Sequence, residues 1–176
     1  MRALPIEEIN RLSPDAFRMA QKHPLVLVLD NIRSRNNVGS VFRTADAFAV
    51  ERLLLCGITP VPPHRDIHKT ALGAEEVVAW ERHPDTAIAL QSLKRAGYKI
   101  IALEHTDQSQ ALPSFRPEVG AKYALVFGNE VKGVADGVLA HCDLALEIPQ
   151  FGTKHSLNIG VSVGVAVWDI VQKMVF

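Results

Sequence analysis

The sequence predicts an α/β fold in which a mostly parallel sheet carries helices on both faces. Five short apolar runs recur along the chain, and segments with helical spacing of apolar residues lie between them. A run that is apolar at nearly every position indicates a strand buried on both sides, which is typical of parallel sheets. The length of 176 residues fits one domain with a full core. The predicted strands are residues 25–29, 52–56, 98–103, 123–127 and 144–148.

We expect the first 22 residues to form a short helical extension and residues 23–176 to form the main domain. Acidic residues and prolines near the start replace the apolar stretch of a signal peptide, and no segment offers the about 18 apolar residues of a membrane span. Cys56 and Cys142 each adjoin an apolar segment, which indicates reduced thiols in a core. We therefore expect a soluble, cytoplasmic protein.

The stretch DNIRSRNNVGS follows the first predicted strand and opens an amphipathic helix. Asn36 or Asn37 is a suitable N-cap, and Arg43 lies away from the apolar stripe of the helix. Helical side chains lean towards the N-terminus, so we expect the Arg43 guanidinium to pass over Gly39 and favour an anion at the helix start. The alternative is a surface ion pair between Arg43 and Asp46.

Net charge is zero over the whole chain, but residues 1–70 hold ten Lys and Arg against seven Asp and Glu. This asymmetry permits a polyanionic partner without requiring one. His64 and His68 are one helical turn apart, yet no carboxylate or thiolate nearby in sequence completes a metal site, so we expect no metal. Basic residues that could follow a phosphate backbone are Arg33, Arg35, Arg43, His64, Arg65, His68 and Lys69.

Ligands of parallel sheets bind at the carboxyl ends of the strands, where three further polar stretches occur. EHTDQS after residues 98–103 is the least distinctive. GNEVKGV after residues 123–127 places Glu130 between two glycines; it lacks the Lys and Ser/Thr of a phosphate loop, and a surface turn is the alternative. The chain also lacks the glycine fingerprint G-x-G-x-x-G, which disfavours a nucleotide-dependent oxidoreductase.

The stretch PQFGTKHSLN after residues 144–148 leads into a helix rich in small residues. Residues 160–164 match the G-x-S-x-G pattern of hydrolases, but His155 is the last histidine and precedes the serine, so the chain order of that triad fails. We expect Ser156 to be the N-cap of this helix with Asn158 in its first turn. Gly160 and Gly164 would allow close approach of another backbone, such as that of a second subunit.

Taken in order, these stretches resemble the three motifs of the SpoU/TrmH family of RNA ribose 2′-O-methyltransferases, in the SPOUT superfamily. NNVGSVFRTA resembles the first motif, LVFGNEVKGV the second and IPQFGTKHSLNIGVSV the third, and the resemblance spans about residues 24–172. It implies that residues 23–176 form a catalytic domain with a C-terminal trefoil knot, and a homodimer in which both subunits contribute to the active site. Gly160 departs from the serine that the family often has at this point.

The resemblance also implies S-adenosylmethionine as the methyl donor and tRNA or rRNA as the substrate. A catalytically inactive RNA-binding module on the same fold is the alternative. The implied catalytic residues are Arg43, Asn37, Glu130, Ser156 and Asn158. The implied cofactor-binding residues are Leu103, Glu104, Gly128, Asn129, Glu130, Ile148, Pro149, Ser156 and Leu157.

Overall fold

A computed structural model, which describes residues 1–5 and 8–175, has one seven-stranded sheet. All pairings between its strands are parallel, and the strand order is β3-β2-β1-β6-β4-β7-β5. The predicted fold class is confirmed. The strands are β1 (His23–Asp30), β2 (Val50–Cys56), β3 (Trp80–His83), β4 (Tyr98–Leu103), β5 (Gln110–Ala111), β6 (Lys122–Phe127) and β7 (Leu144–Glu147).

Six α-helices connect or flank these strands. Two short 3₁₀ turns, Ala74–Glu76 and Leu112–Ser114, complete the regular structure of the described residues. The helices are α1 (Pro14–Met19), α2 (Arg35–Ala47), α3 (Arg65–Ala71), α4 (Thr86–Arg95), α5 (Asp136–Leu139) and α6 (Ile159–Val175).

The side chains of β1 alternate between two hydrophobic cores, one on each face of the sheet. Leu25, Leu27 and Leu29 point into the larger core, which also receives the apolar faces of α2 and α6. Val26 and Val28 point into the smaller core beneath α4 and α5. All five side chains are completely buried. This two-sided burial explains why the strand is apolar at consecutive positions.

All five predicted strands are confirmed, whereas β3 and β5 were missed. Strand β3 has the sequence WERH and lies at the edge of the sheet, where it is only partly buried and needs no apolar run. Strand β5 consists of two residues at the opposite edge. Residues 1–22 contain α1, although residues 6 and 7 lie outside the described residues, as does residue 176. The division of the chain at residue 22 stays a prediction.

The sheet order places β1, β6, β4 and β7 side by side. Because these strands are parallel, the four polar stretches that follow them emerge at one edge of the sheet. The chain passes from β6 over β4 to β7, so β4 lies between these two strands, and the segments after all three strands line one cavity. The trefoil knot itself stays a prediction, for which this strand order is the support.

Gly39 allows helix α3 to pack closely against α2. A Cβ atom at Gly39 would lie 3.0 Å from the Ala71 nitrogen and well inside van der Waals contact of the Ile67 carbonyl oxygen and the Thr70 hydroxyl. Thr70 also donates a hydrogen bond to the Asn36 carbonyl oxygen at 2.9 Å. The structure therefore gives this glycine a packing role, in place of the expected clearance for an arginine side chain.

The two cysteines are free thiols. Cys56 is buried, and this burial raises the pKa of its thiol to about 12. Cys142 is partly buried beside the smaller core. Among the described residues, no helix combines the length and apolar character needed to cross a membrane.

Candidate functional site

A cavity of about 560 Å³ opens at the carboxyl ends of β4, β6 and β7. Its walls come from three loops and from the first turn of α6, which lie far apart in sequence but meet at this edge of the sheet. The size and the mixture of polar and apolar walls are typical of a small-molecule site. The lining residues are Leu103, Glu104, His105, Phe127, Gly128, Asn129, Glu130, Val131, Lys132, Gly133, Leu146, Glu147, Ile148, Gln150, Ser156, Leu157, Asn158, Ile159 and Ser162.

Glu130 joins the loop after β6 to the beginning of α2. Its Oε2 atom accepts a hydrogen bond from the Arg33 backbone N–H at 3.0 Å, and its Oε1 atom accepts one from the Ser34 N–H at 3.1 Å. The Asn37 side-chain amide donates a third hydrogen bond to Oε1 at 3.1 Å. A carboxylate is suited to this position because it has only acceptors and can receive several donors at once.

The pKa of Glu130 is lowered from its usual value of 4.5. Partial burial alone would raise this pKa, but the hydrogen bonds from Arg33, Ser34 and Asn37 stabilise the carboxylate and outweigh burial. Because the folded-state pKa is depressed, the contribution of Glu130 to stability is fully present above about pH 4.5. It is lost as the pH falls through the lower folded-state value.

Asn37 links Glu130 to the last helix. While its amide nitrogen donates to Glu130, its Oδ1 atom accepts a hydrogen bond from the Asn158 side-chain amide at 3.2 Å. The Asn158 Oδ1 atom in turn accepts from the Gly160 backbone N–H at 2.9 Å. One chain of hydrogen bonds therefore connects the polar stretches after β1, β6 and β7, and it fixes the orientation of both asparagine amides.

Both helix starts differ from the prediction by two or three residues. Helix α2 begins at Arg35, and its N-cap is Ser34, whose hydroxyl accepts from the Asn37 N–H at 3.3 Å; the predicted N-cap at residue 36 or 37 is wrong. Helix α6 begins at Ile159, so Asn158 caps it and Ser156 lies before the helix. Several residues here are good N-caps, and the tertiary hydrogen bonds of Glu130 and Asn37 decide between them.

Two glycines make the loop after β6 compact. A Cβ atom at Gly128 would lie 2.5 Å from the Gly133 carbonyl oxygen, so the two halves of the loop touch. Gly133 has a φ of 66°, which favours glycine. Glu104 braces the same loop from β4, since its Oε2 atom accepts from the Val134 N–H at 2.9 Å. The predicted cofactor residue Glu104 thus also holds a wall of the cavity.

Asn129 closes this loop by hydrogen bonds to its own turn and to β1. Its Oδ1 atom accepts from the backbone N–H groups of Val131 at 3.0 Å and Lys132 at 3.1 Å. Its amide nitrogen donates to the Asn31 carbonyl oxygen at 2.7 Å, directly after β1. The side chain therefore stabilises the loop conformation that brings Glu130 to α2.

The least distinctive polar stretch, EHTDQS, contributes a cluster that the sequence analysis missed. Glu147 at the end of β7 accepts hydrogen bonds from Ser109 Oγ at 2.6 Å and contacts His105 Nδ1 at 3.2 Å. The Ser109 bond, followed by the His105 contact, lowers the pKa of Glu147. His105 and Glu147 both line the cavity. Their positions at or just after strand ends are the only sequence signal, because a histidine and a glutamate 42 residues apart form no local pattern.

Most of the predicted cofactor residues line the cavity, and Pro149 does not. Of the predicted catalytic residues, Glu130, Ser156 and Asn158 line it, and Asn37 contacts two of these. Their chemical roles stay predictions.

Arg43 lies outside the cavity in a separate surface recess on α2 and α3. The recess is lined by Ser40, Arg43, Thr44, Ala47, Phe48, Lys69 and Thr70. Arg43 is exposed. Among the described residues its guanidinium has no ion pair or hydrogen bond, so the alternative pairing with Asp46 is not observed.

The other predicted RNA-binding residues are exposed. Arg33 and Arg35 flank the helix start held by Glu130. Three of them lie beside carboxylates: His64 and Arg65 contact Asp66 at 3.8 Å and 3.5 Å, and His68 Nδ1 contacts Glu75 at 2.6 Å. His68, Glu75 and Glu76 have ligand atoms that all lie within 4.8 Å of one another, so carboxylates absent from the local sequence are present in the folded chain.

Comparison with known proteins agrees with this geometry. The family model described as the SpoU rRNA Methylase family matches residues 24–168, which include β1 from its second residue, the six other strands and the first part of α6. The chain belongs to the SpoU rRNA methylase family. The match covers the three polar stretches that meet around the cavity and the recess that holds Arg43.

Two relatives of this chain are named as rRNA methyltransferases. A 23S rRNA (guanosine-2′-O-)-methyltransferase RlmB from Neisseria meningitidis is 32% identical over 87% of this chain, and the chain spans 60% of that relative's length. The AdoMet-bound rRNA methyltransferase structure from Sinorhizobium meliloti has a TM-score of 0.81 at 24% identity, over 94% of this chain and 62% of that one, which shows a shared fold.

A third relative is of similar length to this SpoU family chain. It is a solved structure that addresses 2-OH methylation of C/U34 on tRNA. Its TM-score is 0.74 and its identity 30%, and the match covers 86% of this chain and 97% of the other. The match therefore spans nearly the whole of that solved chain.

Proposed function

We propose that the protein is an S-adenosylmethionine-dependent RNA methyltransferase that methylates a ribose 2′-hydroxyl of rRNA or tRNA. The observation that carries this proposal is the hydrogen-bonded chain from Glu130 through Asn37 to Asn158, at the mouth of a cavity suited to a small molecule. These are the positions that match the family motifs. The names of the Neisseria and tRNA-related relatives support the same activity.

The cavity fits S-adenosylmethionine in size and in chemistry. Its volume of about 560 Å³ lies within the range of small-molecule sites. The backbone of the loops at 103–105, 128–133 and 146–150 supplies donors and acceptors for the adenosine and amino-acid ends, and Leu146 and Ile148 offer apolar contact. When bound there, the cofactor supplies an activated methyl group on a sulfonium.

Alignment of the ribose with this methyl group is the main task of the protein side chains. Methyl transfer is an in-line displacement, and good alignment of the reacting atoms can supply about 7 to 11 kcal/mol. Asn37 and Asn158 have their amides fixed by mutual hydrogen bonds, and Ser156 lies beside them on the cavity wall. We assign these side chains to orienting the ribose, and Glu130 to holding the loop and helix that carry them.

Arg43 provides positive charge for the reacting RNA. A guanidinium is a permanent cation, so it is a poor proton acceptor and a good partner for a phosphate or a developing alkoxide. The recess around it also contains Lys69 and three hydroxyl side chains, which suits a phosphate backbone. Arg33 and Arg35 add exposed positive charge at the start of α2. The carboxylates beside His64, Arg65 and His68 make these three residues weaker candidates for RNA contact.

A homodimer would bring Arg43 of the partner subunit to the cavity. The supports are the position of Arg43 outside its own cavity and an apolar stripe on α6, where Val161, Val165 and Trp168 are 51%, 39% and 55% exposed. This stripe begins where Gly160 packs against Ser40, which lines the Arg43 recess. A second copy seated on the stripe would lie beside Arg43.

Free cysteines and an RNA substrate suit a cytoplasmic enzyme.

Transfer of labelled methyl groups to RNA tests the proposed function. The chain is incubated with S-adenosyl[methyl-³H]methionine and unmodified rRNA or tRNA, and the RNA is hydrolysed in alkali. A 2′-O-methyl group removes the hydroxyl that attacks the neighbouring phosphate, so we expect the label in alkali-stable dinucleotides. Label in mononucleotides would indicate base methylation and contradict the proposal. RNA binding without any transfer would favour the inactive module.

A further inference from the structure

We propose that His68, Glu75 and Glu76 form a binding site for a divalent transition-metal ion such as Zn²⁺, separate from the methyl-transfer cavity. One ligand atom from each of the three side chains lies within 4.8 Å of the other two. An imidazole with two carboxylates is a ligand set that Zn²⁺ accepts. The three residues line a second cavity, which shares no described residue with the proposed cofactor site.

The chain reversal after α3 creates this cluster. Helix α3 ends at Ala71, and the next two residues, Leu72 and Gly73, have φ angles of 54° and 91°. These left-handed conformations turn the chain back, so that the 3₁₀ turn Ala74–Glu76 packs beside the last turn of α3. An exposed leucine in a left-handed conformation costs energy, which the packing of this turn has to offset.

Glu75 gives an independent indication of a positively charged ligand. Its side chain is only 8% exposed, and its Oε2 atom is buried without a hydrogen-bond partner among the described residues. Its other oxygen, Oε1, contacts His68 Nδ1 at 2.6 Å. A buried carboxylate oxygen without a partner is costly, and a metal ion is one of the few groups that would satisfy it.

The geometry requires only small movements of exposed side chains. Zn²⁺ bonds to nitrogen and oxygen are about 2.1 Å long, so ligand atoms on one ion lie within about 4 Å of one another. The ligand atoms therefore have to come about 1 Å closer to one another. The His68 side chain is 64% exposed and Glu76 is exposed, so both can rotate to allow this. Water would complete the coordination, because the cavity faces solvent.

Metal titration of the full chain, without an affinity tag and after dialysis against a chelator, tests this site. We expect one Zn²⁺ per chain by isothermal titration, and a Co²⁺ absorption spectrum that Zn²⁺ displaces. Mg²⁺ should not compete, because imidazole is a poor ligand for it. His68→Ala and Glu76→Gln change exposed residues that the fold tolerates, and each should weaken Zn²⁺ binding by about tenfold or more.

His83→Ala is the matched control. His83 contacts Glu81 at 3.1 Å, but among the described residues that pair belongs to no three-residue cluster. The control should bind Zn²⁺ as tightly as the unchanged chain. The proposal is overturned if the unchanged chain binds no Zn²⁺, or if His68→Ala and His83→Ala reduce binding equally. His68 also belongs to the predicted RNA-binding surface, but Zn²⁺ titration without RNA measures the metal site alone, so its result is independent of the methyl-transfer test.

Discussion

Replacement of Glu130 by glutamine is expected to lower the turnover number for RNA methylation about 100-fold, because displacement of reacting groups by about 1 Å has an effect of this size. The Glu130 carboxylate receives three hydrogen bonds from Arg33, Ser34 and Asn37. A glutamine has one oxygen, and its NH₂ group would face a donor. Asn37 would then lose its orientation towards Asn158. Single-turnover rates with saturating S-adenosylmethionine measure this effect.

Glu118→Gln is the control for this substitution. Glu118 is an exposed carboxylate that pairs with Lys99 and does not line the cavity. Its replacement should leave the rate within about twofold, since exposed ion pairs contribute little. Circular dichroism should show both variants folded. If Glu130→Gln methylated RNA as fast as Glu118→Gln, the proposed role of the Glu130 hydrogen bonds would be wrong.

Replacement of Arg43 by alanine is expected to reduce methylation by about 100-fold or more, as loss of a single charge-stabilising donor does in other enzymes. If the partner subunit supplies Arg43, two inactive variants should complement each other. A mixed dimer of Arg43→Ala and Glu130→Gln chains would contain one site with both residues intact. Random mixing of equal amounts should therefore restore about a quarter of the activity of the unsubstituted chain.

Native mass spectrometry measures how many mixed dimers form, and the methylation rate is compared with that number. Lys154→Ala, which changes a cation that lines neither the cavity nor the recess, is the control for loss of positive charge. Mixed dimers without recovered activity would show that Arg43 acts in its own subunit. A chain that stays monomeric while it methylates RNA would contradict the dimer proposal itself.

Much of the fold could be predicted because the central strands have a strong local signal. Strands β1, β2, β4 and β6 have runs of consecutive buried apolar residues, because hydrophobic cores lie on both faces of the sheet, and the shorter β7 has an apolar start. The edge strands β3 and β5 have no such requirement and were missed. The local pattern of apolar residues thus indicates burial, and it does not reveal a strand that is paired but exposed.

Contacts between distant segments could be predicted only for the residues of the three motifs, whose strands end at the same edge of the sheet. The contact of Asn37 with Glu130 agrees with the expected convergence of strand ends. In contrast, the role of Gly39 depends on where α3 packs, and the helix starts depend on hydrogen bonds across the sheet edge. The pairing of His68 with Glu75 depends on two left-handed residues at the end of α3. None of these positions has a distinctive local pattern.

A crystal structure of the chain bound to S-adenosylhomocysteine, the product of methyl donation, would test the central claim most directly. We expect the ligand in the cavity formed by the loops at 103–105, 128–133 and 146–150, with its sulfur facing Asn37 and Asn158. Binding of the ligand in the Arg43 recess or in the His68 cavity, or absence of ligand from the expected cavity at saturating concentration, would contradict this claim.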